Sequence, residues 1–322
     1  MVVVTGGSGF IGSCLVDALN KKGINDILVV DHMGESDKWK NLYGKRFTDY
    51  LDRDDFRSVL SSELTSYPID AIYHLGACSA TTEKDVLYLM DNNYQYSKEV
   101  FLLAQEVGAK FIYASSAATY GLGENGYSDN LDLELKPLNA YGFSKYAFDR
   151  WLIENGYIDD ALGLKFFNVF GPNEYHKGDM ASMVFKAWKQ IKSTGKIKLF
   201  KSNFNEYADG DQRRDFIYVK DAVSATLALA DNGSNGIYNI GTGKAHSWNE
   251  LMKAVFKSLG VEPDIEYIDM PERLKGQYQN FTEADMDKFH KALNGNGFKF
   301  TDLEESVADY VVGYLEKGQK TI

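Results

Sequence analysis

In the first half of the chain, short apolar runs rich in β-branched residues alternate with longer stretches whose apolar positions recur every three to four residues. Residues 2–5, 27–31, 71–75, 110–115 and 163–168 read as buried strands. Between them, 11–22 and 86–107 read as amphipathic helices. Strands apolar on both faces and separated by helices predict an α/β fold with a parallel, doubly wound sheet. Right-handed crossovers then set all strand C-termini along one edge, where such sheets bind ligands. After about residue 170 the rhythm loosens. There 180–192 and 249–259 look helical, 215–219 and 237–240 look like strands, and 201–212 is a polar loop. The pattern predicts a first unit of residues 1–168 with roughly 213–245. A smaller, mainly C-terminal α/β lobe takes 169–212 and 246–322.

Composition narrows the function. With 322 residues and 44% hydrophobic content, the chain can bury a sizeable core. It has no run approaching the ~20 apolar residues of a membrane helix, so no membrane partner is expected. The start, Met1 to Val4, has no basic residues and runs into glycines, unlike a secretion signal. Two cysteines, Cys14 and Cys78, make no disulfide framework, which fits the cytoplasm. A net charge of −11 argues against nucleic acid as a partner and requires local cations for any anionic substrate. The 5 histidines are scattered with no Cys/His cluster, so no metal site is expected. His74 reads as a packed strand-end residue, and nothing around Cys78 suggests an activated thiolate.

Val2-Val3-Val4-Thr5-Gly6-Gly7-Ser8-Gly9-Phe10-Ile11-Gly12 runs strand, turn, helix. Absent side chains at Gly6, Gly9 and Gly12 permit a tight turn, close approach of a pyrophosphate and tight helix–strand packing. The helix N-terminus then offers N–H groups to the phosphates. This predicts a Rossmann-type dinucleotide site. Asp31 lies 19 residues after Gly12, at a strand end, where a carboxylate bonds a ribose hydroxyl and favours NAD. Lys38 and Arg53 follow and could neutralise a 2′-phosphate instead, so the loop alone does not choose between NAD and NADP.

Tyr141 and Lys145 stand four residues apart, on one face of a helix. A free tyrosine titrates at ~10, too high for a base near neutrality, and a lysine ammonium beside it favours the phenolate. The same lysine can hold the nicotinamide ribose. Ser116 ends a predicted strand and could hydrogen-bond the reacting oxygen.

Together with Ser115-Ser116-Ala117-Ala118-Thr119-Tyr120-Gly121 and Arg213-Arg214-Asp215-Phe216-Ile217-Tyr218-Val219, these motifs resemble the extended short-chain dehydrogenase/reductases, which act largely on nucleotide sugars. Within that group the chain is similar over nearly its whole length to the ADP-glyceromanno-heptose 6-epimerases. The similarity rests on Gly76-Ala-Cys-Ser-Ala-Thr-Thr82, Met90-Asp-Asn-Asn-Tyr-Gln-Tyr-Ser97, Phe167-Asn-Val-Phe-Gly-Pro172, His176-Lys-Gly-Asp-Met-Ala-Ser182 and Leu274-Lys-Gly-Gln-Tyr-Gln-Asn-Phe-Thr282.

The resemblance implies a tightly held NADP, with NAD as the other option. The sugar is oxidised at C6 to a transient ketone and reduced on its other face, a step toward the heptose of lipopolysaccharide. Ser116, Tyr141 and Lys145 serve one side and Lys177 the other. Further cofactor contacts implied are Phe10, Ile11, Asp31, His32, Lys38, Arg53, Leu75, Gly76, Ala77, Cys78, Ser79, Asn92 and Val169, with Lys145 and Lys177. Substrate contacts implied are Ser116, Asn168, Asp179, Lys186, Phe200, Arg214 and Tyr278; Arg214 supplies the local cation for a diphosphate. A homo-oligomer is implied, with a pentamer as one form. The chain departs from the family pattern at Leu75, Asp179, Lys186 and the longer loop 201–212. A 4,6-dehydratase is disfavoured because Ala117 and Ala118 stand where such relatives carry Asp-Glu, and methyl groups transfer no proton. A UDP-sugar 4-epimerase is disfavoured by the His176-Lys177-Gly178 segment. A redox-sensing binding protein is disfavoured by the complete Ser116, Tyr141 and Lys145 set.

Overall fold

The computed structural model describes the chain apart from residues 61–63, 65–66, 131, 277 and 294–296 and the side chains of 273 and 274. Gln277, within one of the family-like segments, thus lies outside the described residues. In chain order the elements are β1 (Val2–Thr5), α1 (Phe10–Lys21), β2 (Ile27–Asp31), β3 (Asp49–Asp52), α2 (Arg53–Val59), β4 (Ala71–His74), α3 (Val86–Leu89), α4 (Tyr96–Val107) and β5 (Lys110–Ser116). There follow α5 (Ala140–Glu154), β6 (Ala161–Phe166), β7 (Asn168–Phe170), α6 (Met183–Thr194), β8 (Ile197–Phe200), β9 (Arg213–Tyr218) and α7 (Val219–Asp231). The rest are β10 (Gly236–Ile240), β11 (Ala245–Ser247), α8 (Trp248–Leu259), β12 (Ile265–Ile268), α9 (Glu272–Lys275), α10 (Asp287–Ala292) and α11 (Leu303–Tyr310).

Seven strands form one parallel sheet in the order β10-β6-β5-β4-β1-β2-β3. Its faces are both covered, as the unbroken apolar strands require. Val2 and Val4 point into one core with Leu15, Leu19 and Leu164, and Val3 points into the other with Phe56, Phe101 and Phe148. Thr5 registers against Val30 on one side and His74 on the other, which aligns the loops after β1, β2 and β4 on one edge. Here the doubly wound expectation holds. A second sheet, β11-β9-β7, and the pair β12-β8 build the smaller lobe. Buried Asp215 of β9 accepts from Thr242 N (2.8 Å), Thr242 Oγ1 (2.7 Å), Gly243 N (2.9 Å) and Ala284 N (3.1 Å), stapling three distant segments.

Several boundaries differ from the pattern. The strand expected at 163–168 splits: β6 ends at Phe166, and Asn168 starts β7, which pairs with β9. Within 213–245, β10 joins the seven-stranded sheet whereas β9 pairs with β7 and β11. The helix expected over 86–107 contains a π-helical turn, Met90–Gln95, whose extra residue per turn changes which side chains face the sheet edge. The helix expected from 180 starts at Met183, because Tyr175–Met180 forms a 3₁₀ turn kinked at Gly178 (φ 51°). The edge strand β3 was invisible because its sequence, DYLD, is half exposed and has no apolar run.

Candidate functional site

The turn between β1 and α1 is shaped by two glycines. Gly6 has φ +68°, and a Cβ there would lie 2.7 Å from Gly76 N. A Cβ on Gly12 would lie 2.1 Å from Gly6 O. The loops after β1 and β4 therefore touch backbone to backbone. Among the described residues no side chain caps α1, whose N-cap is Gly9 and whose first turn lines the cleft. Beyond β2, Asp31 accepts from Ser8 N (3.0 Å), Ser8 Oγ (2.6 Å) and Lys38 Nζ (2.5 Å). Arg53 donates to Asn92 Oδ1 (2.6 Å) and Asp54 (2.8 Å), and His32 pairs with Asp52 at 3.1 Å. Thus Lys38 is held by the carboxylate it follows in sequence and reaches the groove as part of an ion pair.

These residues line two adjoining cavities. The larger, about 640 Å³, is lined by Gly6, Gly9, Phe10, Ile11, Gly12, Asp31, Lys38, Leu75, Gly76, Ala77, Cys78, Ser79, Ser116, Tyr141, Lys145, Asn168, Val169 and Lys177. The smaller, about 240 Å³, shares Asp31 and Lys38 and adds His32, Arg53 and Asn92, with Tyr88 and Tyr96. The groove fits a dinucleotide by its own features: a turn with no side-chain bulk, an uncapped helix end, and a buried Tyr96 hydroxyl with no partner among the described residues.

Ser116 ends β5, its hydroxyl accepts from Ala118 N (3.1 Å), and it lines the same cavity as Tyr141. Tyr141 and Lys145 lie one turn apart on α5, whose N-cap Asn139 accepts from Gly142 N (2.8 Å). Burial raises the Tyr141 phenol above its ordinary value, against the lowering effect of Ser116. The direction differs from the expectation that the lysine favours the phenolate, because the site is dry. Burial also pushes the Lys145 ammonium down to about 8, opposed by the charge of Asp149 a turn further along. Asp149 accepts from Tyr113 (2.9 Å), Ser115 (2.8 Å) and Lys165 (2.7 Å), and Lys165 also donates to Thr119 Oγ1 (2.7 Å). This buried ion pair braces the segment that carries Ser116. The helix spacing of Tyr141, Lys145 and Asp149 was a signal for it.

Lys177 lies on the 3₁₀ turn between β7 and α6. Its ammonium is 3.3 Å from Ser79 Oγ and 5.8 Å from the centre of the Phe10 ring. Burial lowers it below the usual lysine value, with Glu174 opposing. Glu174, fully buried, accepts from Ser182 N (2.5 Å), Ser182 Oγ (2.7 Å) and Gly171 N (3.4 Å), closing the loop at both ends. Asn93, delivered by the π-helical turn, donates to Ser144 Oγ (3.0 Å) and Cys78 O (3.0 Å), and accepts from Cys78 N (2.9 Å). Glu174 carried no sequence signal, and Asn93 lay inside the Met90–Ser97 segment without being given a role. His74 is the packed residue expected, bonded to Thr5 (2.8 Å) and Ser97 (3.0 Å) and pushed down to about 3 by burial.

The expected substrate contacts do not all converge. Ser116 and Asn168 line the larger cavity. Arg214 stacks between Trp248 (5.7 Å) and Tyr278 (5.1 Å), with Phe200 edge-on to Tyr278 (6.4 Å). This aromatic cluster adjoins the cleft through Trp248, which lines it and bonds Tyr278 OH at 2.8 Å. Asp179 and Lys186 meet each other at the surface, Lys186 Nζ donating to the Asp179 carbonyl at 2.6 Å, outside the cavity lining. Among the described residues no group of three or more His, Cys, Asp or Glu converges to hold a metal. Among them, too, no helix is long and apolar enough to cross a membrane.

Residues 2–241 match the model of the NAD dependent epimerase/dehydratase family. The chain is 54% identical over 318 residues to the ADP-L-glycero-D-manno-heptose-6-epimerase of Nitratidesulfovibrio vulgaris, covering 98% of each. The chain belongs to the ADP-L-glycero-D-manno-heptose-6-epimerases of this family. The Helicobacter pylori enzyme of that name superposes with a TM-score of 0.81 at 28% identity, over 97% of this chain and 95% of that one. A Bacillus cereus UDP-glucuronic acid 4-epimerase solved with NAD superposes with a TM-score of 0.78 at 25% identity, over 99% of each. The chain is therefore an epimerase, an isomerase of nucleotide-sugar type, and its cofactor is a nicotinamide dinucleotide.

Proposed function

We propose that this epimerase inverts C6 of ADP-D-glycero-D-manno-heptose to give the L-glycero sugar, by oxidation and re-reduction with one retained NADP, for lipopolysaccharide heptose synthesis. The observation that carries the mechanism is a single cleft lined by the glycine turn, by Ser116, Tyr141 and Lys145, and by Lys177. When bound, the nicotinamide ring supplies reversible two-electron oxidation of the carbinol carbon.

The chain supplies the protons. Tyr141, whose proton is held by burial, donates it to the C6 oxygen on reduction, and the phenolate so formed takes a proton from a C6 hydroxyl on oxidation; Ser116 orients that oxygen. Lys145, one turn away, stabilises the phenolate and holds the ribose. Lys177, lowered by burial, serves as the second acid/base for the sugar presented by its other face. With two acid/base groups, both hydrogen configurations at C6 can be made without releasing the ketone. Arg214, stacked between aromatic rings, is suited to the diphosphate. Lys38 and Arg53, beside the Tyr96 hydroxyl that has no partner among the described residues, support NADP over NAD. Residues 1–168 with 219–244 then hold the dinucleotide, and 169–212 with β9 and 245–322 hold the sugar, β9 having gone to the smaller lobe's sheet. Exposed Leu87, Val86, Leu102 and Phe143 on α3, α4 and α5 support a homo-oligomer, and two free cysteines support the cytoplasm.

The test is incubation of the purified protein with ADP-D-glycero-D-manno-heptose and no added cofactor, following C6 stereochemistry by NMR. The L-glycero product is expected. No conversion, with UDP-sugars epimerised instead, overturns the substrate; tight dinucleotide binding with no turnover of any sugar returns the binding-protein reading. Chromatography of the denatured protein should release NADP, and NAD alone would contradict the reading of Lys38 and Arg53.

A further inference from the structure

Asn41 closes the 3₁₀ turn Asp37–Leu42 and is 3% exposed. Its side-chain amide donates to the Ser8 carbonyl (3.0 Å), in the glycine turn, and to the Asn173 carbonyl (2.9 Å), in the loop that carries Lys177. It also lies 3.3 Å from His176 Nδ1. A carboxamide nitrogen has two protons, which the two shorter bonds use. Burial, with Lys177 and Lys38 nearby, pushes His176 down to about 4, so its ring is neutral at pH 7. The same turn presents Lys38 to Asp31. Six residues therefore touch the glycine turn, the carboxylate at the end of β2 and the Lys177 loop.

The other ties on that loop run elsewhere. Asn173, at φ 78°, donates to Ser13 Oγ (2.8 Å) within α1, and Glu174 closes the loop on itself through Gly171 and Ser182. Neither side chain bonds the glycine turn. Asn41 bonds both, and it does not line the cleft.

We propose that Asn41 is a positioning residue for epimerisation: it registers the loop bearing Lys177 against the glycine turn, so that the Lys177 ammonium stands at a fixed place over the dinucleotide groove. This rests on the reading of Lys177 as the second acid/base. Displacing such a group by ~1 Å lowers the rate roughly 10²-fold.

The test compares the holoenzyme with Asn41→Leu, which keeps the shape and removes both donors. Expected is a kcat about 10- to 100-fold lower, with KM and bound dinucleotide per chain close to wild type. Amides 174–178 should exchange with deuterium faster than in wild type, while those of 28–31 do not change. In a Lys177→Met background, Asn41→Leu should add no further loss, because its effect passes through the ammonium. An unchanged kcat, unchanged exchange at 174–178, or an equal loss in both backgrounds overturns the proposal. If the Lys177→Met rate is too low to measure, the exchange rates decide. Near-normal turnover of Lys177→Met alone sinks the reading of Lys177 itself, and the positioning role with it. Should Asn41→Leu not fold, Asn41→Ser, which retains one donor, is judged by the same outcomes.

Discussion

Tyr141 and Lys145 ride on a helix of 15 residues, whereas Lys177 rides on a kinked 3₁₀ turn of 6 held by isolated backbone bonds such as Lys177 N to Glu174 O (2.9 Å). On the first side, helical repeat alone brings Tyr141, Lys145 and Asp149 to one face, and a buried ion pair between Asp149 and Lys165 locks that face to β6. On the second, position is set by side chains that reach the loop from elsewhere: Asn41, Ser13 and Ser182. A helix places a proton-transfer group by periodicity; a loop places one by discrete hydrogen bonds, each of which can be removed separately.

The comparison can be broken most sharply at Tyr141. Tyr141→Phe removes the proton donor and leaves the helix, so turnover should fall by roughly 10²–10⁴-fold with dinucleotide still bound. A near-normal rate in the heptose assay would rule out the acid/base role. Next comes the brace behind it. Asp149→Asn leaves the Lys165 ammonium buried without its counter-charge and should lower unfolding free energy by about 3–5 kcal/mol, read by urea denaturation. Asp149→Asn with Lys165→Met should recover most of that loss; a double variant as unstable as the single one would mean the pair is not the brace. On the loop side, Glu174→Gln weakens bonds to Ser182 and Gly171 and should reduce stability by only about 1–3 kcal/mol. Its kcat should drop more than its melting temperature suggests, and the reverse pattern would erase the contrast between the two sides.

The smallest expected effect is a pH dependence. The Lys145 ammonium is lowered to about 8 by burial, so the charged form, proposed to hold the ribose, predominates below that pH and is lost as pH rises through it. Dinucleotide affinity, measured by titration calorimetry, should weaken through the same range. A flat profile to pH 10 would place Lys145 in a wetter setting than its burial implies.

This contrast also explains what was legible in the chain. The seven-stranded sheet follows from apolar runs that need cover on both faces, and the glycine turn from its own spacing. Tyr141 and Lys145 follow from helical repeat. Lys177 was a loop cation to any local pattern and was singled out only by family resemblance. Asn41, Asn93 and Glu174 were not singled out as individual residues: the two Asn side chains bond backbone 15 and 132 residues away, and Glu174 closes its own loop 3 and 8 residues off with no repeat to mark it. The strand end at Phe166, two residues early, reflects a tertiary choice: β7 leaves the large sheet to pair with β9. Arg214 sits in its aromatic cluster outside the cavity lining, a placement set by α8 and the segment around Tyr278, far along the chain.

The order of the large sheet has a consequence for the chain as it is made. β6, buried along its whole length, receives its outer neighbour β10 only when residue 240 has been synthesised. At ~5–20 residues per second, an apolar strand edge stays open for about 4–15 s on each ribosome. Such edges pair readily with other chains. Expression yield, aggregation during translation and demand for chaperones should therefore respond most to changes between β6 and β10, a stretch that includes the loop bearing Lys177.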